Sequence, residues 1–315
     1  MSGMLQKRVS WQIHMDLSVI ILSYNTKNLT RDCLTRVVQA GEYAGTNGID
    51  LEIIVVDNAS TDGSPRMIQK EFPKVRLLSQ KKNTGFTGGN NLGMKVAKGD
   101  YFLLLNSDAF LGEDTLDLTI GAMKRHSDWG VLGCKLVYPD GLFQPSGGYL
   151  PTPLNIVSWM MGLDLVPGLR SVLAPVHPGW PGFFYQDRQM GWVTGAFMCL
   201  RREVWEKTGG FDEKFFLYME EVEWCKRIAD AGFRIGFTPA FSVIHMGRAS
   251  SNFDNAGALV KEAQGLLHFI KKHYKGRENF IREVIVWGNW LRRVAFTVIG
   301  DQSRADASKK IISQI

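Results

Sequence analysis

The sequence has little cysteine and no cysteine motif. Its four cysteines among 315 residues, Cys33, Cys134, Cys199 and Cys225, lie far apart and form no CxxC pair. This spacing excludes a zinc ribbon and a disulfide scaffold, and it suits a reducing compartment such as the cytoplasm. The first 15 residues contain no apolar stretch of signal-peptide length, so we expect no secretory signal.

Long hydrophobic runs are also missing. The longest apolar stretch covers residues 284–299 and is interrupted by Arg292 and Arg293. A membrane-spanning helix needs about 20 apolar residues, so we predict no transmembrane span. Internal repeats and low-complexity tracts are absent, and 45% hydrophobic with 22% charged residues is typical of a globular protein.

The positive charge is concentrated at one end of the chain. From Lys261 onward there are 11 Lys and Arg against 5 Asp and Glu, whereas residues 1–260 hold 26 of each. No nucleic-acid-binding motif accompanies this charge, so we expect no nucleic-acid partner. Trp287 and Trp290 lie among the basic residues, a pattern typical of a helix that contacts a membrane surface. A solvated helix that packs its tryptophans on the domain is the alternative.

Strands and helices alternate in the first third of the chain. Short apolar runs rich in β-branched residues predict buried strands, and stretches of helical periodicity lie between them. This order predicts an α/β fold with a mostly parallel sheet flanked by helices. The predicted strands are 17–22, 51–56, 75–78 and 101–105, and the predicted helices include 29–38, one starting at Ser64, and 90–97.

Polar clusters follow the predicted strands at their carboxyl ends, where open α/β sheets bind ligands. These clusters are Ser23, Tyr24 and Asn25; Asp57 and Asn58; and Asn106, Ser107 and Asp108. Asp57 can accept hydrogen bonds from a base or a ribose, or it can cap the next helix. Asp108 can hold a divalent cation through oxygen, or it can be a turn residue.

A glycine-rich segment, NTGFTGGNNLG at 83–93, precedes the third predicted helix. Its spacing is not that of a dinucleotide fingerprint. Its glycines permit close approach of the backbone to a ligand, or they form a tight loop that leads into the helix.

The second half of the chain is less regular between residues 139 and 190, which are rich in proline and glycine. Beyond it we predict a strand at 192–200, a helix at 220–231, two strands near Ile235 and Val243, and helices from Asn255. In the predicted acidic helix Glu223 and Arg227 are spaced as an i,i+4 ion pair, so we expect part of it to be an ordinary charged surface.

The ordered motifs together resemble family 2 glycosyltransferases of the GT-A fold, and among them bacterial rhamnosyltransferases and similar cell-wall or O-antigen sugar transferases. The resemblance covers about residues 16–250. It implies a Rossmann-like GT-A domain with a nucleotide-sugar-binding half at 16–112, a metal, acceptor and catalytic half at 113–254, and a helical basic extension at 255–315. The motifs are SVIILSYN, IIVVDNASTDGS, NTGFTGGNN, LLLNSD, GAFMCLRR, GGFDEKFFLYMEEVEWCKR and a later histidine.

The resemblance also implies roles for individual residues. Asp108 matches the last acid of a DXD-like metal-binding element that begins here with Asn106, and His245 matches a histidine near the metal or diphosphate. Glu221 takes the place of the base, which is aspartate in the family. The implied nucleotide-sugar-binding residues are Ser23, Tyr24, Asn25, Asp57, Asn58, Asn83, Gly85, Phe86, Asn90, Asn106 and Ser107, and we add Arg248 as a partner for a phosphate oxygen.

From this resemblance we expect an inverting glycosyltransferase that uses Mg²⁺ or Mn²⁺. We expect a dTDP- or UDP-linked donor, dTDP-rhamnose first, and a glycan or polyprenyl-diphosphate-linked acceptor. A UDP-galactofuranose or UDP-N-acetylhexosamine transferase and a non-catalytic nucleotide-sugar-binding protein are the alternatives. The basic tail suggests peripheral attachment to the cytosolic face of a membrane, with a role in cell-wall or polysaccharide biosynthesis.

Overall fold

The computed structural model describes residues 15–166, 168–169, 173–215, 218–247 and 255–315. These residues form a large mixed sheet, with helices packed on both of its faces, and a small two-stranded sheet. The strands are β1 Leu17–Ser23, β2 Leu51–Asp57, β3 Arg76–Ser79, β4 Tyr101–Asn106, β5 Ala109–Phe110, β6 Trp129–Val137, β7 Phe143–Gln144, β8 Gly147–Gly148, β9 Arg188–Met190, β10 Trp192–Val193, β11 Phe197–Arg201 and β12 Arg234–His245.

The helices cover most of the remaining described residues. Those of the first half connect the parallel strands, and three long helices close the chain. The helices are α1 Lys27–Thr46, α2 Ser64–Glu71, α3 Gly85–Val96, α4 Thr115–Arg125, α5 Pro153–Met160, α6 Arg202–Thr208, α7 Glu220–Asp230, α8 Asn255–His273, α9 Glu278–Val298 and α10 Gln302–Gln314.

The main sheet has the strand order β3-β2-β1-β4-β11-β6-β12-β5. Strands β3, β2, β1 and β4 are parallel, as their buried apolar runs and the intervening helices predict. The fold prediction is therefore confirmed. Strand β11 is antiparallel to both β4 and β6, so the second half of the sheet is mixed.

The local predictions of strands beyond residue 190 need two corrections. The stretch 192–200 is two strands, because the turn at Thr194–Ala196 separates β10, in the small sheet, from β11 in the main one. The two strands predicted near Ile235 and Val243 are one strand, β12, whose register with β6 shifts between Thr238 and Ser242. Pro239 lies inside this irregularity, and proline has no N–H to donate to a ladder.

Helix α3 begins at Gly85 rather than at Asn90, so the glycine-rich segment is mostly helix. A Cβ at Gly89 would lie 2.2 Å from the Leu22 side chain, and one at Gly93 would lie 2.4 Å from Ile20. These two glycines therefore let α3 pack closely on β1, and they do not form a loop around a ligand.

The sheet separates two hydrophobic clusters. One lies against α1, α2 and α4, and the other lies against α3 and the later helices. The second cluster includes Leu266 and Phe269 of α8, Ile285 of α9 and Trp224 of α7. The C-terminal helices thus share a core with the acidic helix α7. All four cysteines are buried and unpaired.

Candidate active site

The carboxyl ends of three neighbouring strands place polar side chains at one edge of the sheet. Ser23 at the end of β1 is paired with Asp57 at the end of β2, and Leu22 is paired with Asn106 at the end of β4. The parallel register therefore brings the three strand-end clusters together. Ser23 and Ser107 are buried and bond through Thr26, whose hydroxyl lies 3.4 Å from Ser23 Oγ and 3.1 Å from Ser107 Oγ.

Asp57 is the acid at the end of β2, next to the end of β1. It is 1% exposed, and its Oδ2 accepts a hydrogen bond from the Ser60 N–H at 3.0 Å. Its Oδ1 is buried and makes no hydrogen bond to any described residue. A buried carboxylate oxygen without a partner destabilises the folded protein, because no hydrogen bond replaces the water that it loses. Asp57 thus caps the following turn with one oxygen and leaves the other for a ligand.

Asn25 holds the loops after β1 and β2 together. Its φ is 53°, in the left-handed region that asparagine tolerates better than most residues. Its Oδ1 accepts a hydrogen bond from the Thr61 N–H at 2.8 Å, and its own N–H donates to Ser60 Oγ at 2.9 Å. The neighbouring Tyr24 is half-buried.

Asn58 braces the start of α3. Its Oδ1 accepts hydrogen bonds from the N–H and hydroxyl of Thr84, both at 3.0 Å. Its Nδ2 donates to Asn83 Oδ1 at 2.8 Å and to the Gly85 carbonyl at 3.0 Å. Asn83 Oδ1 also accepts from the Gly85 N–H at 2.8 Å. The side-chain oxygens of both asparagines are therefore engaged within the protein and shape the edge of the site.

Phe86 and Asn90 of α3 link this edge to the second half of the chain. Asn90 is buried and donates from Nδ2 to the Phe86 carbonyl within the helix. The Phe86 ring lies 5.5 Å from the ring of Phe211, which in turn lies 4.7 Å from Trp224 of α7. A Cβ at Gly195 would lie 2.8 Å from Phe86, so this glycine lets the β10–β11 turn approach α3.

Asp108 and His245 meet beyond the end of β4. The pairing of β5 with β12 places His245 opposite Ala109, next to Asp108. His245 Nε2 lies 3.4 Å from Asp108 Oδ1 and 3.4 Å from Asn106 Nδ2. His245 Nδ1 donates to Gln144 Oε1 at 3.0 Å, which leaves Nε2 as the acceptor for Asn106 Nδ2.

These residues fit a divalent cation. Asp108 is fully buried, and neither of its carboxylate oxygens has a hydrogen-bond partner among the described residues. Two unsatisfied oxygens beside an imidazole nitrogen form a donor set suited to Mg²⁺ or Mn²⁺. The described residues include no cluster of three or more His, Cys, Asp and Glu, so a bound cation would need further ligands from a diphosphate or water.

The acidic pair of α7 lies at the first turn of that helix. Glu220 is buried, and its Oε2 and Glu221 Oε2 make no hydrogen bond to described residues. Burial raises the pKa of Glu220 well above its usual value, and the charge of Glu221 raises it further. Burial likewise raises the pKa of Glu221 to about 7, and the charge of Glu262 adds to this effect. Glu221 can therefore exchange a proton near neutral pH.

The turn before α7 is strained. Tyr218 and Met219 have φ values of 71° and 69°, a conformation that costs about 1–3 kcal/mol for a residue other than glycine. Gly265 of α8 packs on this turn, because a Cβ there would lie 2.9 Å from the Tyr218 carbonyl oxygen. Helix α8 therefore supports the backbone that carries Glu220 and Glu221.

Glu223 is not on a charged surface, which corrects the expectation for this helix. Its side chain is fully buried, and both carboxylate oxygens accept from Arg227 Nε at 3.0 Å. Lys272 Nζ and His273 Nε2 of α8 lie 2.8 Å and 3.1 Å from Glu223 Oε1. Burial alone would raise the pKa of Glu223, but Arg227 and Lys272 hold it below its usual value. The i,i+4 pair forms as predicted, but α8 covers it.

The structure brings some of the predicted site residues to one edge of the sheet and places others elsewhere. Asp57, Asn106, Asp108 and His245 share the strand-end edge. The β10–β11 turn also reaches that edge, because the Asn106 N–H donates to the Ala196 carbonyl at 3.1 Å. Glu221 lies at the first turn of α7, and its electrostatic partners are Glu220, Glu262 and His177. Arg248 lies outside the described residues. The residues that sequence reasoning missed are Gln144, Asp62, Gly265 and Lys272.

Asp62 had a local sequence signal. Its Oδ1 accepts from the N–H and hydroxyl of Ser64, and its Oδ2 accepts from the Lys27 N–H at 2.8 Å. The N-cap of α2 is Gly63, and Asp62 precedes it and accepts from the N–H of Ser64, which is already helical. The other three residues depend on contacts between distant segments.

The strand-end edge and the acidic helix α7 belong to one α/β fold with a mixed central sheet. Residues 18–204 match the family described as "Glycosyl transferase family 2". The match spans more than half of the chain, so the chain belongs to this family and is a glycosyltransferase. The resemblance found in the sequence is thereby confirmed.

Curated relatives include rhamnosyltransferases. An N-acetylglucosaminyl-diphospho-decaprenol L-rhamnosyltransferase of Mycobacterium tuberculosis H37Rv is 27% identical over 72% of this chain and 76% of its own length. Rhamnosyltransferase WbbL of Escherichia coli K12 is 28% identical over 51% of this chain and 60% of its own length.

Solved structures share the fold. The mannosyltransferase PcManGT of Pyrobaculum calidifontis, solved with GDP-Man and Mn²⁺, aligns with a TM-score of 0.59 and 16% identity. The alignment covers 96% of this chain and 86% of that protein. The GT-A-type architecture, with helices following at the C-terminus, is thus confirmed.

Proposed function

We propose that the protein is an inverting glycosyltransferase that moves a sugar from a nucleoside-diphosphate donor, with dTDP-rhamnose the first candidate. The proposed acceptor is a glycan or a polyprenyl-diphosphate-linked sugar. The observation that carries the proposal is the pair of buried, unbonded Asp108 oxygens facing His245 at the strand-end edge. The rhamnosyltransferase relatives support the choice of donor and acceptor.

The donor would lie across the strand ends. The free Oδ1 of Asp57 can accept a hydrogen bond from the base imide or a ribose hydroxyl. The loops braced by Asn25 and Asn58 shape this pocket before the donor binds, which lowers the entropy cost of binding. Asp108 and His245 would hold Mg²⁺ or Mn²⁺ beside the diphosphate. A bound cation of this kind neutralises the negative charge that develops on the leaving diphosphate.

Glu221 would act as the general base. Its carboxylate accepts the proton of the acceptor hydroxyl while that oxygen bonds to the anomeric carbon. The bond from this carbon to the diphosphate oxygen breaks on the opposite side, so the configuration inverts. A pKa near 7 gives the carboxylate high proton affinity while leaving a large fraction ionised at neutral pH.

Donor turnover in two variants tests this mechanism. Glu221→Gln keeps the side-chain size but removes the base, and Asp108→Ala removes the proposed cation ligand. We expect both variants to lower transfer, and Glu221→Gln to lower it at least about 100-fold, the lower bound for general acid–base catalysis. The matched control is Asp32→Asn, an exposed acid on α1, which should leave the rate unchanged. Wild-type rates in both site variants would remove the mechanism.

Two alternatives predict different results in donor-binding and donor-turnover assays. A UDP-sugar transferase would be stabilised in thermal-shift assays by UDP-galactofuranose or UDP-N-acetylglucosamine rather than by dTDP-rhamnose. A non-catalytic nucleotide-sugar-binding protein, suggested by the glutamate at the position of the family's aspartate base, is disfavoured by membership of the glycosyltransferase family. It would bind a donor without transferring or hydrolysing it.

We also propose that α9 contacts an anionic membrane surface. Its outer face exposes an apolar stripe at helical spacing that includes Trp287, Trp290 and Leu291, and Val298 is 81% exposed. The inner face, with Ile281 and Ile285, packs in the core. The surplus of positive charge beyond residue 260 complements anionic lipid headgroups. Among the described residues, no helix is long and apolar enough to span a bilayer.

Co-sedimentation with phosphatidylglycerol vesicles tests this surface. We expect the double variant Trp287→Ser, Trp290→Ser to lose binding while donor turnover in solution persists. Tyr43→Ser, which removes an exposed aromatic residue from α1, is the matched control. Unchanged vesicle binding of the double variant, or a dimer through this face in gel filtration, would overturn the membrane assignment.

A further inference from the structure

A polar pair joins the C-terminal helix α8 to the irregular middle segment. His177 Nε2 lies 3.0 Å from Glu262 Oε1. The His177 ring contacts two tryptophan rings, with centroids 4.8 Å from Trp159 and 5.3 Å from Trp192. Trp192 is itself fixed, because its Nε1 donates to the Val176 carbonyl at 3.1 Å. The ring of His177 is therefore held by two tryptophan contacts and by Glu262.

This pair lies on the side of α7 that carries the proposed base. Glu221 and Cys225 are one helical turn apart, so they share a face of α7, and the Cys225 thiol contacts the Val193 backbone of β10. Strand β10 also supplies Trp192, which packs on His177. Glu262 belongs to helix α8. It is three residues before Gly265, which packs on the turn that leads into α7.

We propose that Glu262 is a positioning residue for the general base Glu221, acting through its own charge and through the His177 ring that it holds. This inference rests on the proposed role of Glu221. It makes the C-terminal helices part of the catalytic centre, because the residue that sets the environment of the base comes from α8.

The electrostatics agree with this geometry. Burial is the largest cause of the raised pKa of Glu221, the charge of Glu262 raises it further, and His177 lowers it. Glu220 and Cys225 are the other titratable neighbours on α7, and β10 adds only Trp192 and Val193. From α9, Arg292 interacts with Glu262 and Asp164. Removing the charge of Glu262 should therefore make Glu221 a weaker base that ionises at lower pH.

The test is the pH dependence of kcat/KM for Glu262→Gln, which keeps the side-chain size but not the charge. Transfer from dTDP-rhamnose to a synthetic N-acetylglucosaminyl-diphospho-lipid is the assay. We expect the acid limb of the profile to move to lower pH by about half a unit, a roughly threefold change on that limb. The plateau value of kcat/KM above this limb should also fall, because Glu221 becomes a weaker base. Glu283→Gln, the same change at an exposed site on α9, should leave the profile in place.

Two further variants separate the possible failures. Glu262→Ala also removes the contact with His177, so we expect a lower kcat in addition to the shifted limb. An unshifted limb in Glu262→Gln, in an enzyme that Glu221→Gln inactivates, would overturn this inference alone. An active Glu221→Gln enzyme would instead overturn the proposed function, since the limb would then report another group.

Discussion

Replacement of Gly265 by alanine should disturb the turn that carries the acidic pair. A Cβ at this position would lie 2.9 Å from the Tyr218 carbonyl oxygen and 3.0 Å from Met219 Cβ. One of these atoms is backbone, and the backbone already has a φ of 71° at Tyr218. The turn cannot yield without moving residues that are already strained.

The cost follows from two opposing effects. Overpacking of a methyl group costs about 1–3 kcal/mol. The change from glycine to alanine inside a helix raises the free energy of unfolding by about 1 kcal/mol. Gly45 of α1 is a matched control, because a Cβ there meets nothing within 4 Å. The helix preference cancels between the two variants, so Gly265→Ala should be about 1–3 kcal/mol less stable than Gly45→Ala.

Thermal unfolding and steady-state kinetics measure the outcome. At about 2 °C per kcal/mol the melting temperatures of the two variants should differ by roughly 2–6 °C. The rate kcat should fall in Gly265→Ala and not in Gly45→Ala, because a displaced α7 misaligns Glu221, and about 1 Å of misplacement can cost 100-fold. A Gly265→Ala protein as stable and active as Gly45→Ala would refute the role assigned to this contact.

Three further predictions follow from the site. Gln144→Leu should lower the affinity for Mn²⁺ about 10–100-fold, measured by calorimetry with dTDP present, because His245 loses the acceptor that fixes its tautomer. Gln144→Glu keeps an acceptor at this position and should retain Mn²⁺ binding. Lys272→Met should lower the free energy of unfolding, measured with denaturant, by about 1.5–3 kcal/mol, because it removes a partner of buried Glu223. Lys271→Met, the same change at an exposed neighbour, should alter this free energy by no more than about 0.5 kcal/mol. Glu221→Gln should stabilise the protein at pH 8 but not at pH 4. The folded pKa of Glu221, about 7, lies above its usual 4.5, so wild-type stability falls as pH rises between these values, by up to about 3 kcal/mol. Equal melting temperatures of Glu221→Gln and the wild type at both pH values would contradict the raised pKa.

The sequence predicts the first half of the fold well because its signals are local. Apolar β-branched runs mark β1, β2 and β4, and parallel register then places Asp57 and Asn106 at one edge. The helix that carries Glu221 is also predicted, since its periodicity and its end at Gly232 lie within one short segment. Each strand and this helix is marked by residues close together in the chain, and the parallel register of the strands follows from the helices that connect them.

The remaining features depend on contacts between distant segments. The spacing of Glu223 and Arg227 predicts an ion pair but cannot show that Lys272, about 50 residues later, covers it. The roles of Asn58 and Asn83 were assigned to the donor, whereas their side chains hold each other and Gly85. Gln144 gives no sequence signal, because its partner His245 is 101 residues away.

A crystal structure with dTDP-rhamnose and Mn²⁺ tests the central claim most directly. We predict the diphosphate beside Asp108 and His245, the nucleobase beside Asp57, and Glu221 facing the anomeric carbon from the side opposite the leaving oxygen. A donor bound away from these residues, or a Glu221 carboxylate on the diphosphate side of the sugar, would contradict it.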